Sequence, residues 1–376
     1  MKITAYTYVG DYGQAVRAFD IACEREQAEK INPSDFAVAN AYRHFIGSSV
    51  QTTTVDAVEP VEGGIRVSVP DFLWESNFTV TASGSAAGLS FGKADVTEVR
   101  TEIADEFEAL REGGVHYRLY TPPCTDPRPL ILFLHGGGHS GYDNWRQMVT
   151  TYGAAALAER YPDMYVMAPQ AIPNKGGKGF RHDPRPDTDE PAAELIEPNT
   201  RSFQFPAYFA SKDWSCPYLA QICAVIRRMI AQGRVDGRRV YVTGLSMGGA
   251  GTIRALKVGK DLFAAAVPIA PMMNDEIYYD LRFAGNQKVW VCAAYLDHVF
   301  DRNQWIADAI LYLRRQGNLD ARFTMFSREE IERYQIGTDP GTTLVKKLQQ
   351  NHCAAFVLTY HNEHGIMDWM TSQIKD

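Results

Sequence analysis

No apolar run in these 376 residues approaches the length needed to span a bilayer, which argues against a membrane-embedded protein. The N-terminus, MKITAYTYVGDYG, has neither a basic n-region nor an apolar h-region. The chain as written therefore reads as cytoplasmic, or as secreted if a leader was removed. Clustered Lys and Arg are missing as well. A formal net charge of -7 disfavours nucleic acid as a partner and favours a small or neutral substrate. The six cysteines are scattered, with no C-x-x-C pair and no zinc-type spacing; Cys223 and Cys292 sit in apolar runs, where cysteine behaves as a small core residue. What is present is an ordinary globular composition, 45% hydrophobic and 22% charged, in a chain long enough for two domains.

The two halves follow different rhythms. Over residues 1–112, short segments such as ITAYTYV, GIRVSV and FTVTA alternate apolar and polar residues between glycine turns, the pattern of an antiparallel β-sandwich. PSDFAVANAYRHF is compatible with a helix at its end, and the acidic stretch 98–112 reads as a linker or edge connection. Exposed strand edges in this half would suit self-association into a homo-oligomer. From 113 to 376, apolar runs of strand length (VHYRLYTP, LILFLHG, MYVMAP, RRVYVTG, FAAAVPIAP, KVWVCAAY, ARFTMF) alternate with helical patterns such as YLAQICAVIRRMIAQG. That rhythm predicts an α/β fold, a mostly parallel sheet with helices on both faces and its site at the C-terminal ends of the strands. Residues 171–213, rich in Pro, Gly and acidic residues, interrupt it and read as a lid-like insertion. GGKGF within that insertion lacks the spacing of a phosphate loop.

One stretch, VYVTGLSMGGAGT (240–252), organises the chemistry. It places Ser246 between Gly244 and Gly248, at the junction of a β-branched strand and a helix that begins on small residues. Such a strand-to-helix turn lifts a serine hydroxyl clear of the sheet edge, next to the positive end of a helix. A serine nucleophile needs a histidine to take its proton, a carboxylate to hold that histidine, and N–H donors for the oxyanion. The glycines of LHGGGHSG, after an apolar strand, can bring an amide close to a carbonyl oxygen; Gly137, with Gly138 behind it, and the amide of Met247 are the expected donors. In the chain order serine, acid, histidine, Asp297 follows the strand VWVCAAY, whereas Asp301 has the position of a helix N-cap. Three histidines come later, His352, His361 and His364, and periodicity alone leaves the choice among them open. His361 and His364 have no third partner at metal spacing, so a metal is not expected, and the chemistry calls for no organic cofactor. Trp214, with Tyr208 and Phe209, either walls a substrate pocket or packs the insertion against the body.

Together these pieces resemble two-domain bacterial esterases with an immunoglobulin-like N-terminal domain and an α/β-hydrolase C-terminal domain. They are of the polyhydroxybutyrate-depolymerase and feruloyl-esterase type, often labelled predicted peptidases. The resemblance runs mainly from Tyr117 onward, on YRLYTP, LILFLHGGGHSGYDNWRQ with its Asp143-Asn144 pair, MAPQ, VDGRRVYVTGLSMGGAGT, VPIAP and the closing DWMTSQ. It implies a histidine upstream of the closing Asp-Trp pair at an interval that supports His352 and disfavours His364, which the residues alone leave as the alternative base. The chain departs from the pattern where His352 is followed by CAAF rather than a small polar residue and a tryptophan. The implied activity is hydrolysis of carboxylic esters through an acyl-enzyme, with a serine peptidase of the same fold, or a non-catalytic binding protein, as the alternatives.

Overall fold

A computed structural model of the chain describes residues 1–44, 47–172, 214–299, 301–334 and 344–375. One compact unit holds Met1–Glu106, and another begins at Phe107. In the first, period-two alternation produces strands β1 (Ile3–Gly10), β2 (Gly13–Ala22), β3 (Phe36–His44), β4 (Gly47–Thr54), β5 (Ala57–Val61), β6 (Gly64–Leu73), β7 (Asn77–Ala82), β8 (Phe91–Gly92) and β9 (Glu98–Thr101). They form two sheets, in the orders β5-β6-β2-β1-β9 and β4-β3-β7-β8. Their inner faces meet through aromatic rings: Phe19 of the first sheet lies 5.5 Å from Phe78 and 5.0 Å from Phe91 of the second. The β-sandwich expected from the sequence is therefore present. The stretch that was compatible with a helix is β3, because Phe36 and Val38 alternate into this core while the backbone pairs with β4 on one side and β7 on the other.

The second unit is built on an eight-stranded sheet of order β10-β11-β13-β12-β14-β15-β16-β17 among the described residues. Its strands are β10 (Glu108–Glu112), β11 (Val115–Tyr120), β12 (Arg128–Leu134), β13 (Tyr165–Pro169), β14 (Val235–Leu245), β15 (Ala265–Ile269), β16 (Val289–Ala294) and β17 (Ala321–Phe326). From β13 to β17 the neighbours are parallel, and β10 and β11 form an antiparallel edge. Glu108–Glu112, placed by the sequence at the end of the sandwich half, pairs instead with β11. The helices that frame the sheet include α1 (Cys216–Ala231), α2 (Met247–Val258), α3 (Asp275–Arg282), α4 (Arg302–Arg315) and α5 (Leu344–Tyr360). FVLTY, which could have been a last strand, is the end of α5. Ala354, Ala355, Phe356, Val357 and Leu358 are all buried, and a helix covered on every side reads like a strand in a short apolar run. Most of the 171–213 insertion, with Tyr208 and Phe209, lies outside the described residues. No described helix is long and apolar enough to cross a membrane.

The junction of β14 and α2 is a tight backbone crossing. A Cβ on Gly244 would stand 2.5 Å from the carbonyl oxygens of Leu134 and Gly248, and one on Gly248 would overlap the Leu134 carbonyl. Backbone atoms cannot rotate away as a flexible side chain can. We therefore expect Gly248→Ala to cost about 3 kcal/mol or to prevent folding. Gly137→Ala, where a Cβ meets open space, should stay within about 0.5 kcal/mol of the parent. Urea unfolding of the two variants checks this, and equal stabilities would contradict the account of the crossing.

Candidate active site

Ser246 is the single residue between β14 and α2, with φ 57° and ψ -112°. This is a conformation that L-residues avoid, at a cost of about 1–3 kcal/mol. Three backbone bonds hold it there. Its N–H donates to Ile269 O (2.9 Å), and its carbonyl accepts from Ala250 N (3.1 Å) and Met272 N (3.0 Å). The following residue, Met247, is the first of α2, so the serine stands at the positive end of a helix.

The glycine loop after β12 lies against this turn. Gly136, not singled out from the sequence, comes nearest: a Cβ there would sit 3.6 Å from Cβ of Ser246. Its neighbour Gly137 is exposed, and Gly138 takes a φ of 87°. The loop is fixed from several sides. His135 is wholly buried; its Nε2 accepts from Ala171 N (2.9 Å), so Nδ1 carries the proton and donates to Gly136 O (2.7 Å). Gln170 donates from Nε2 to His139 O (3.0 Å), and Gly141 N donates to Ala171 O (3.0 Å). The Asp143-Asn144 pair closes the loop, with Asp143 Oδ1 accepting from Trp145 N and Arg146 N, both at 2.7 Å. Asn144 reaches Tyr117 O from Nδ2 (3.0 Å) and accepts at its carbonyl from Arg118 Nε (2.6 Å). Trp214, expected at a pocket wall or as packing, is 1% exposed. Its indole fills the space above Gly251, and its Nε1 donates to His135 O (3.1 Å). It thereby shapes the glycine loop from within the core.

Asp297 follows β16 and is brought to His352. Nδ1 of His352 lies 3.1 Å from Asp297 Oδ2, while Oδ1 accepts from Val299 N (2.7 Å). His352 was expected on a loop but sits within α5, which Asn351 Nδ2 pins to Leu296 O (2.8 Å) beside the acid. His364 is not brought to Asp297; its Nε2 pairs with Glu330 Oε1 (2.6 Å), and His361 stacks on Tyr334. Asp301 does occupy the N-cap position of α4, without a side-chain cap bond. Met272 connects the two parts of the site. Its N–H bonds Ser246 O, and its Sδ receives Nη2 of Arg302 (3.7 Å), whose Nη1 contacts both Asp297 Oδ2 and His352 Nδ1 (3.0 Å).

Arg302 and His298 are the residues that sequence reasoning missed. An arginine in the first turn of a helix ordinarily faces water, and nothing in DRNQWIADAI signals one that is 1% exposed. His298 lies edge-on to His352, with ring centroids 4.6 Å apart, and its Nδ1 is buried without a partner among the described residues. Burial favours the neutral acid at Asp297, but the Arg302 charge and the bonds from His352 and Val299 prevail and hold the carboxyl well below the usual carboxylate range. Burial lowers His352, with the Arg302 charge adding to it against the pull of Asp297. Asp297, His298 and His352 do offer donor atoms within 4.8 Å of one another. The guanidinium seated between the carboxylate and the imidazole repels a dication, so the set does not fit a metal ion.

The sequence profile described as the alpha/beta hydrolase family matches residues 131–367. The chain belongs to the alpha/beta hydrolase family. The strand–Ser246–helix junction and the Asp297–His352 pair both fall within the matched span. Over its whole length this hydrolase is similar in fold to a thermostable esterase, with 22% identity, a TM-score of 0.65 and 100% of each chain covered. Weaker likenesses are to a Mycobacterium tuberculosis puromycin-hydrolyzing peptidase (13% identity, TM-score 0.44, 86% of this chain and 46% of that one) and to a carboxylesterase from Mesorhizobium loti (15% identity, TM-score 0.39, 69% and 99%). A comparison of the sequence with curated proteins returns no match.

Buried imidazoles make the hydrolase sensitive to acid. Burial pushes His135 down to about 4 and, together with the His352 and Arg302 charges, takes His298 down to about 3; His352 is lowered too. In the unfolded chain histidine titrates near ~6.5. Below that pH the unfolded state takes up protons that the fold refuses, and each such histidine removes about 1.4 kcal/mol of stability per pH unit until its folded value is reached. Asp297, held low in the fold, contributes stability that is lost only at more acidic pH. The urea midpoint should therefore fall from pH 7 to pH 5; an unchanged midpoint would contradict the burial of these rings as neutral groups.

Proposed function

We propose that the protein is a serine hydrolase of carboxylic esters, of the two-domain type whose sandwich is immunoglobulin-like and whose relatives include polyhydroxybutyrate depolymerases and feruloyl esterases. The observation that carries this reading is Ser246, strained and fixed at the helix terminus, beside a glycine loop and across Met272 from the Asp297–His352 pair. In this reading Ser246 Oγ attacks the ester carbonyl, and Nε2 of His352 takes its proton while Nδ1–H donates to Asp297. The amides of Gly137 and Met247 receive the charge that develops on the carbonyl oxygen. Collapse expels the alcohol, which takes the proton from His352, and leaves an acyl group on Ser246. Water activated by the same imidazole then releases the acid. Esters are preferred to peptides because the alkoxide leaves more readily than an amine, and the full-length likeness in fold is to an esterase. The substrate is a small neutral ester, in keeping with the net charge of -7, and no cofactor enters the cycle.

The assay compares short-chain aryl esters with peptide amides. Ester turnover should dominate, and efficient peptide cleavage with negligible ester turnover would overturn the preference. Ser246→Ala and His352→Ala should each lose about a thousandfold or more in kcat and show no extra loss when combined, while His364→Ala stays near the parent. A fluorophosphonate should label the parent but not Ser246→Ala. Equal labelling of both, or a collapse of activity in His364→Ala alone, would sink the assignment.

A further inference from the structure

We infer that Arg302 is a positioning residue of this site: its guanidinium shares Nδ1 of His352 with Asp297 and thereby sets which nitrogen of the imidazole carries the proton. The inference rests on the reading of His352 as the base. Nδ1 lies 3.1 Å from an acceptor, Asp297 Oδ2, and 3.0 Å from a donor, Arg302 Nη1. It can satisfy one of them at a time. Donating to the carboxylate leaves the lone pair on Nε2, where a serine proton can be received. Accepting from the guanidinium puts the proton on Nε2 and leaves no base for Ser246. Arginine does not give up its charge, so it competes as a donor at every accessible pH. The resting site is thus divided between a competent and an incompetent tautomer.

The same group acts through its charge. It neutralises the carboxylate that would otherwise stabilise an imidazolium, and it stands directly beside the imidazole. Among the described residues, the titratable groups around His352 are few. Asp297 and Arg302 are the charged pair, His298 is held neutral by burial, and on the helix itself Cys353 is kept as a thiol, its value pushed up to about 12. Phe356, edge-on to the imidazole at 4.8 Å, carries no charge. Placement of the guanidinium is set by the fold. The start of α4 is tied to the end of β16 by Asn303 Nδ2, which donates to Ala294 O (2.8 Å) and Tyr295 O (3.2 Å).

The test is the pH profile of kcat/KM on an aryl ester for the parent, Arg302→Met and Arg302→Lys, with active sites counted by fluorophosphonate labelling. For Arg302→Met the acid limb should move up by about one pH unit, and kcat/KM above the limb should rise about threefold as the whole population becomes competent. Arg302→Lys keeps the charge and should keep the limb within about 0.3 of the parent. A limb that stays in place in Arg302→Met while the rate falls would reduce Arg302 to a structural ion pair and overturn the inference. If Arg302→Met does not fold, 15N-histidine spectra of the parent at pH 7 decide, with His352 assigned by its loss in His352→Gln. Its two nitrogens should lie between the shifts of the two neutral tautomers; a ring wholly protonated at Nδ1 would overturn the inference. A parent that neither labels nor hydrolyses ester refutes the ester-hydrolase reading, and the tautomer spectrum still judges the role of Arg302 separately.

Discussion

The approach of one strand end to a strand–helix junction governs the catalytic unit. The carbonyls of Leu134 and His135, where β12 ends, press on Gly244 and Gly248 so closely that neither position has room for a side chain. With both glycines in place β14 can turn into α2 over one residue, and that residue must adopt a positive φ. The strain, about 1–3 kcal/mol, is offset by the sheet around it, since a fully buried aliphatic such as Val240, Val242 or Leu132 contributes about 1.5–3 kcal/mol. The same strand end also brings Gly136 beside the serine. One crossing therefore places both the residue proposed as nucleophile and the loop proposed to hold the oxyanion.

Opposite that crossing the structure concentrates buried polarity. Asp297, Arg302 and His352 are all buried and share a single cluster of hydrogen bonds. Removing one member of a buried ion pair costs about 3–5 kcal/mol, because the other is left uncompensated, so the cluster is rigid as well as polar. Met272 carries the connection between this cluster and Ser246 through one backbone bond and one sulfur contact.

Much of this was legible from residue order. Short apolar runs mark the strands of this sheet closely, with ARFTMF matching β17 residue for residue, and GLSMG lies on the strand–helix turn that its spacing requires. Asp297 and His352 stand together, although no periodicity in the chain could have paired them. What was not legible has physical causes. Helix α5 is apolar on every side near its end, so FVLTY has no helical stripe and reads equally well as a strand. Arg302 looks like a solvated first-turn arginine, and only the tertiary fold turns it inward. Trp214 carries no mark that separates a pocket wall from a core residue packed on Gly251. The acidic strand β10 resembles a linker because an edge strand need bury only one face, and that weakly.

The central claim, that Ser246 forms a covalent acyl intermediate, is tested most directly by intact-mass spectrometry during the pre-steady-state burst with an aryl ester. The account predicts one equivalent of released phenol and a mass increase of one acyl group, located on the peptide that contains Ser246. Release of phenol without any acylated protein, or an acyl group on another residue, would contradict it.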